Sequence, residues 1–184
     1  MKTVISLLTL AMLVGCSSPT LYKIKPTTSR VTPLPKTSRV FVGILPDAKD
    51  APNQSAGNSL AARCVQRFAS IAISTEPADA NHHQEEAIKA GADLLFLPRV
   101  LLWEDNASAW SGNPDRFELQ VVTINLANKT QLDAGSILIT GPWWTLGSYS
   151  PSEFTDVACE LYLRYLTGDL TKLEGTTSFK QLPK

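Results

Sequence analysis

The run from Leu94 to Trp103, LLFLPRVLLW, constrains this chain most, because its ten residues carry a single charge, Arg99. A strand with one wet face alternates apolar and polar side chains, whereas a nearly continuous apolar strand needs cover on both faces. This run is therefore predicted to lie near the middle of a sheet. Pro98 within it has no amide hydrogen to donate, so a bulge or an unpaired neighbour is expected there. Beyond Asp115, Phe117, Leu119 and Val121 recur at period two, and Val122, Ile124 and Leu126 then take the opposite phase. That change predicts either a bulge near Val121 or burial of both faces. Asn128-Lys129-Thr130 reads as a tight turn into a further strand, Gln131 to Thr140, which makes the last two strands a hairpin.

Upstream, Arg39 to Leu45 is rich in β-branched and aromatic residues and stops at Pro46-Asp47, as a strand ending in a turn does. Asn58 or Ser59 is expected to cap a helix that buries Leu60, Cys64, Val65, Phe68 and Ile71 at three-to-four spacing. Ala72 to Thr75 is a short second strand, and Pro77-Ala78-Asp79 opens a charged second helix that ends at Gly91. Ser152 is placed at the cap of a last helix, with Phe154, Val157, Leu161, Leu163 and Tyr165 as packing residues. The order β-α-β-α-β-β-β-α predicts a single α/β domain over 38–170 with a mixed β-sheet, parallel where helices intervene and antiparallel where short loops do. A chain of 184 residues, 43% of them hydrophobic, suffices for one such domain with its own core. Residues 171–184 are expected to form a polar C-terminal tail.

The amino terminus carries a different kind of signal. Lys2 precedes an apolar stretch, Val4 to Val14, that is long enough for a secretory signal peptide and short for a bilayer span. Leu13-Val14-Gly15-Cys16 then resembles the lipoprotein box of bacterial lipoproteins. The resemblance implies removal of residues 1–15, attachment of diacylglycerol to the Cys16 thiol, and acylation of the new amino group by a fatty acid such as palmitate. Several acyl chains, at ~0.8 kcal/mol per buried methylene, hold such a protein on its membrane. Ser17 and Ser18 stand where inner-membrane lipoproteins carry aspartate, so the implied location is the outer membrane, facing the periplasm. Ser17 to Pro35 contains four prolines and no acidic residue. Residues 16–37 are accordingly expected to be a flexible lipidated tether with a reach of roughly 60 Å; alternatively, Tyr22 and Ile24 add an edge strand. In an oxidising compartment Cys64 and Cys159 are free to form a disulfide, or they stay two small buried apolar residues.

Lysine plus arginine equals aspartate plus glutamate at 17 each, so no net field draws the chain to nucleic acid. The sequence contains no phosphate loop, dinucleotide fingerprint or zinc-spaced cysteine pair, and neither a cofactor nor a metal is expected. His82 and His83 are adjacent on a helix and turned about 100° apart, which makes them poor ligands of one ion and places them at the surface. The candidate binding residues are Trp103, Glu104, Asp105, Trp110, Asp115 and Arg116, at the connection between the two central strands. Converging, Trp103, Trp110 and Arg116 offer an aromatic platform with a charged rim for an envelope protein or peptidoglycan. Alternatively, Trp110 folds over the sheet end while Arg116 pairs with Asp105 or Asp115. Glu104, Asp105 and Asp115 are also the residue types of a glycan hydrolase's carboxylate pair.

The words Trp103-Glu104-Asp105, Trp110-Ser111-Gly112 and Pro114-Asp115-Arg116, preceded by Ala90-Gly91-Ala92-Asp93, resemble a family of uncharacterised bacterial lipoproteins, domain of unknown function 4823. The likeness runs from about Arg39 to Tyr165 and implies a cell-envelope lipoprotein without an assigned activity. The expectation is thus a membrane-anchored, non-enzymatic binding or assembly module, with an envelope glycan (peptidoglycan) hydrolase as the alternative.

Overall fold

In the computed structural model, which describes residues 20–27, 32–49, 51–106, 113–141 and 151–177 (the side chains of 151, 152 and 177 excepted), the strands form one sheet. They are β1 (Thr20–Lys25), β2 (Arg39–Val42), β3 (Ser70–Ile73), β4 (Leu94–Glu104), β5 (Arg116–Asn125), β6 (Thr130–Asp133), β7 (Ser136–Thr140) and β8 (Glu174–Thr177). The helices are α1 (Asn53–Cys64), α2 (Ala80–Lys89) and α3 (Pro151–Leu166). Across the sheet the order is β3-β2-β4-β5-β7-β1-β8, and β6 pairs with the other end of β5. Because α1 and α2 carry the chain back between strands, β2 runs parallel to β3 and β4; the short connections make β4, β5 and β7 antiparallel neighbours. The mixed α/β domain is the one the sequence order predicts.

The alternation in β5 shows how the core is divided. Phe117, Leu119, Val121 and Thr123 all point to one face and are buried there with Ile137 and Ile139 of β7, Ile24 of β1 and Phe96 of β4. Helices α1 and α3 cover this face through Leu60, Cys64, Phe154, Val157, Tyr162 and Leu166. Each fully buried side chain of this kind contributes about 1.5–3 kcal/mol by leaving water. The phase therefore runs on through Thr123 without a bulge at Val121. Val122 and Ile124 lie on the opposite face, half-buried against a second, smaller cluster of Phe41, Leu95, Leu97, Leu126 and Ala87 under α2. The apolar run in β4 reads as continuous for the same reason: it feeds both clusters.

Pro98 sits in regular register opposite Val121, and the irregularity falls later, between Val100 and Leu102. Val121 donates its N–H to the Gly135 carbonyl, away from β4, so Pro98 faces it in a pair that has no hydrogen bond to lose. On the other side, β2 has already ended its pairing at Phe96. Asn53 substitutes for the missing strand: its Oδ1 accepts the Val100 N–H at 2.8 Å while its Nδ2 donates to the Pro46 carbonyl at 2.7 Å.

That role for Asn53 explains why α1 starts at Asn53 and not at Asn58 or Ser59. Asp47 Oδ1 accepts the Gln54 N–H at 2.8 Å from the preceding loop, supplying the cap that Pro52 lacks. Gly57 then lies inside the helix, where an added Cβ would sit 3.1 Å from Ile44. Val65, expected on the buried face, is 67% exposed, because the helix has ended at Cys64. The second helix agrees with expectation. Asp79 caps it by accepting the His82 N–H, and Gly91 adopts φ 68° just beyond its end.

Three further expectations are corrected. Thr20–Lys25, assigned to the tether with an edge strand at Tyr22 and Ile24 as the alternative, is a strand, and it lies inside the sheet, flanked by β7 and β8. Leu34 is buried and bonded through its amide to the Leu166 carbonyl, so residues 32–37 are also part of the fold. Glu174–Thr177, assigned to the tail, pairs with β1. The strand expected over Gln131 to Thr140 is broken into β6 and β7, because Asp133 turns inward. Its carboxylate accepts the buried Tyr162 hydroxyl and, at 3.2 Å, the Thr27 N–H, and a Cβ on Gly135 would stand 2.8 Å from it. Cys64 and Cys159 are buried free thiols, on α1 and α3, with burial pushing both far up from the ordinary thiol range.

Candidate functional site

The parallel strands β2, β3 and β4 all run toward one end of the sheet, here the upper end, and the base of the β4–β5 connection lies there. The irregularity after Val100 resets the phase of β4, so that Trp103 stands opposite Phe117 and Glu104 opposite Arg116. Trp103 therefore faces the helices, packed partly buried against the main core with its ring edge-to-face on Phe117 at 5.8 Å and 77°. Glu104 and Arg116 share the other face and pair at 3.5 Å, both well exposed. Such a pair is worth little, about 0–1 kcal/mol. The partner expected for Arg116, Asp105 or Asp115, is thus replaced by its cross-strand neighbour. Trp110 lies outside the described residues.

Asp115 staples the connection closed. It is 4% exposed, its Oδ1 accepts the Asn106 N–H at 2.7 Å, and its backbone carbonyl accepts the Gly141 N–H at 2.9 Å. Asn106 Nδ2 donates in turn to the Pro114 carbonyl at 3.0 Å. The crossing is tight at Gly141, where a Cβ would lie 3.0 Å from the Phe154 ring. Burial pushes the Asp115 carboxyl up from its ordinary value; the Asn106 amide opposes this and the charge of Asp105 adds to it. Glu104 is paired across the sheet, Asp105 is exposed and Asp115 is enclosed. Glu104, through Arg116, and Asp115, through the Asn106 amide, hold the end of the hairpin together.

The histidines separate. His82 is exposed, as expected, but His83 is fully buried between α2 and the sheet. Its Nε2 donates to the Ile44 carbonyl at 2.8 Å and its Nδ1 lies 3.2 Å from Glu86, which also accepts from the Ser74 hydroxyl and lies 3.6 Å from His82 Nε2. A Cβ on Gly43 would reach 2.8 Å from the imidazole, so the close approach of β2 to α2 needs that glycine. Among the described residues, no group of three ligating side chains converges on a metal site.

Sequence reasoning missed the surface that the fold leaves open. Beyond the small cluster under α2, no helix among the described residues covers the face opposite α1 and α3 across β7, β1 and β8. In β1, Tyr22 and Ile24 point to the core while Leu21, Lys23 and Lys25 point outward. Leu21 is 52% exposed and lines, with Lys23, Leu138, Thr140, Glu174 and Thr176, a shallow groove of about 510 Å³. Beside it, Glu118 accepts from Lys25 at 2.9 Å and from the Ser136 hydroxyl at 2.7 Å. Partial burial pushes the Glu118 carboxyl up, but those two partners outweigh it and hold it below its ordinary value. The outward positions of TLYKIK were the available signal: an apolar residue and two lysines on the phase opposite Tyr22 and Ile24.

The fold is a mixed-sheet α/β domain similar to that of the solved PelC dodecamer from Paraburkholderia phytofirmans. That match has a TM-score of 0.60 at 16% identity and covers 79% of this chain and 97% of that one. A single-site variant of the same PelC, also a dodecamer, matches with a TM-score of 0.58 at 15% identity over 78% and 97% of the two chains. A Xanthomonas campestris protein of the family DUF330 has a TM-score of 0.40 at 15% identity, over 77% and 88%. The chain belongs to the DUF4823 family, a domain of unknown function, whose family model matches residues 32–166. No curated protein matches the sequence. Strands β1 and β8, which build the outer margin of the open face, both fall outside the matched span.

Proposed function

We propose that this chain is a lipoprotein of the bacterial outer membrane, anchored through acyl chains on Cys16 and facing the periplasm, whose α/β domain is an assembly module that docks on further copies of itself. The observation that carries this reading is the half-face over β7, β1 and β8 that no helix among the described residues covers, with Leu21 exposed beside Lys23 and Glu174. An apolar side chain rimmed by opposite charges suits a contact with another protein surface. The 97% coverage of PelC, solved as a dodecamer, favours a second copy as the occupant. The glycan-hydrolase reading has the weaker support, because Asp115 is engaged as a loop staple and Glu104 is paired with Arg116.

The test is the mass in solution of the domain lacking residues 1–16, followed by light scattering over a concentration series. The expected result is an oligomer that Leu21→Glu dissociates, with an unchanged circular dichroism spectrum. A monomer at every concentration, for the unaltered domain, would sink self-assembly.

A further inference from the structure

The direction of β1 decides which end of the domain meets the membrane. Paired residues trace one row across the sheet: Leu21 opposite Thr140, Thr140 opposite Arg116, and Arg116 opposite Glu104. The amino-terminal end of β1 therefore lies at the upper end, level with the base of the β4–β5 connection. Cys16 is four residues before Thr20. At ~3.5 Å per residue those four residues span at most about 14 Å. The lower end, where Leu94 pairs with Asn125, lies the length of β4 away, roughly 33 Å for its eleven residues. An anchor at Cys16 cannot bring both ends to the lipid while the strands stand upright.

We infer that the upper end of the sheet, presenting Asp105, Pro114 and the Glu104–Arg116 pair, lies against the lipid headgroups, and that the lower end, with Ala127 and Lys129, faces away from the membrane. This rests on the lipid-anchor reading proposed above. The end is a poor membrane binder by itself, since Glu104, Asp105 and Asp115 outnumber Arg116 around the base of the β4–β5 connection. The covalent anchor, and not charge attraction, sets the contact. A ligand met by Glu104, Asp105 or Arg116 is then a lipid headgroup, and the wall polymer lies on the other side of the domain.

The experiment uses the full lipidated chain in phosphatidylethanolamine–phosphatidylglycerol vesicles that contain headgroup-spin-labelled lipid. A fluorophore is placed at Asp105→Cys or at Ala127→Cys; the native Cys64 and Cys159 are buried and stay unlabelled. The expected result is quenching several-fold stronger at position 105 than at 127. Equal quenching, as for a domain lying on its side, or stronger quenching at 127 overturns the orientation. Mass spectrometry of the same sample separates the two readings: an unmodified Cys16 overturns the anchor and the orientation with it, whereas an acylated Cys16 with equal quenching overturns the orientation alone.

Discussion

The two faces of the sheet are made from the same alternating strands, yet one is sealed and the other half open. On the sealed face, Phe117, Leu119, Ile137, Ile139 and Phe96 meet α1 and α3; Tyr162 is tied to Asp133 and Asn53 to the Val100 amide, while the buried Thr123 hydroxyl has no hydrogen-bond partner among the described residues. On the other, α2 covers only the β2–β4 side with a small cluster, and the β5–β7–β1–β8 side presents Leu21, Lys23, Lys25 and Glu118. The difference teaches that the apolar burial that stabilises the fold is concentrated on one face of the sheet. It also explains why the acidic residues at the β4–β5 connection are mostly structural. They sit at the edge shared by both faces, where the chain must turn.

This contrast makes predictions of graded size. The largest effect is expected from Phe117→Ala, which opens a cavity between the sheet and α3 and should cost about 3–5 kcal/mol in a urea titration. A cost below about 1 kcal/mol would mean that the sealed face is not where stability resides. A smaller effect, of defined sign, belongs to Asp115. Its folded-state carboxyl lies above the ordinary carboxylate value, so the stability it contributes is complete below that value and is lost as pH rises through the folded one. Asp115→Asn keeps an acceptor for the Asn106 amide and removes that loss. Relative to the unaltered protein, the variant should therefore gain stability between pH 3 and pH 7; a difference that does not change with pH would contradict the burial of this group. The smallest effect on stability is expected from Leu21→Glu on the open face, within about ±0.5 kcal/mol for the monomer. Its consequence should appear in association instead, which sharpens the contrast between the faces.

Much of this architecture was readable along the chain. The nearly uncharged run at Leu94 announced a strand covered on both sides, and the period-two spacing of Phe117, Leu119 and Val121 marked its partner. Where reading failed, a distant contact had overruled a local preference. Asn58 and Ser59 are better caps than Pro52, but Asn53 is needed at the sheet edge and draws the helix start to it. His83 carries a polar ring on a charged helix, yet the Ile44 carbonyl and Glu86 give it partners indoors. The prolines around Tyr22 and Ile24 suggested a tether, whereas β7 and β8 supply hydrogen-bonding edges that a six-residue strand cannot provide for itself. The EGTT segment of β8 has no apolar residue to signal its pairing.

The order of elements, the mixed direction of the sheet and the membership of most core positions were determined by sequence alone, because hydrophobic spacing is a local property that neighbouring residues impose on one another. Tertiary structure decided which face α1 and α3 cover, which end of the sheet holds the start of β1, and that Glu104 and Asp115 brace the base of the β4–β5 connection. Those outcomes depend on hydrogen bonds and packing between residues far apart in the chain, and such contacts leave no periodic trace in the order of amino acids.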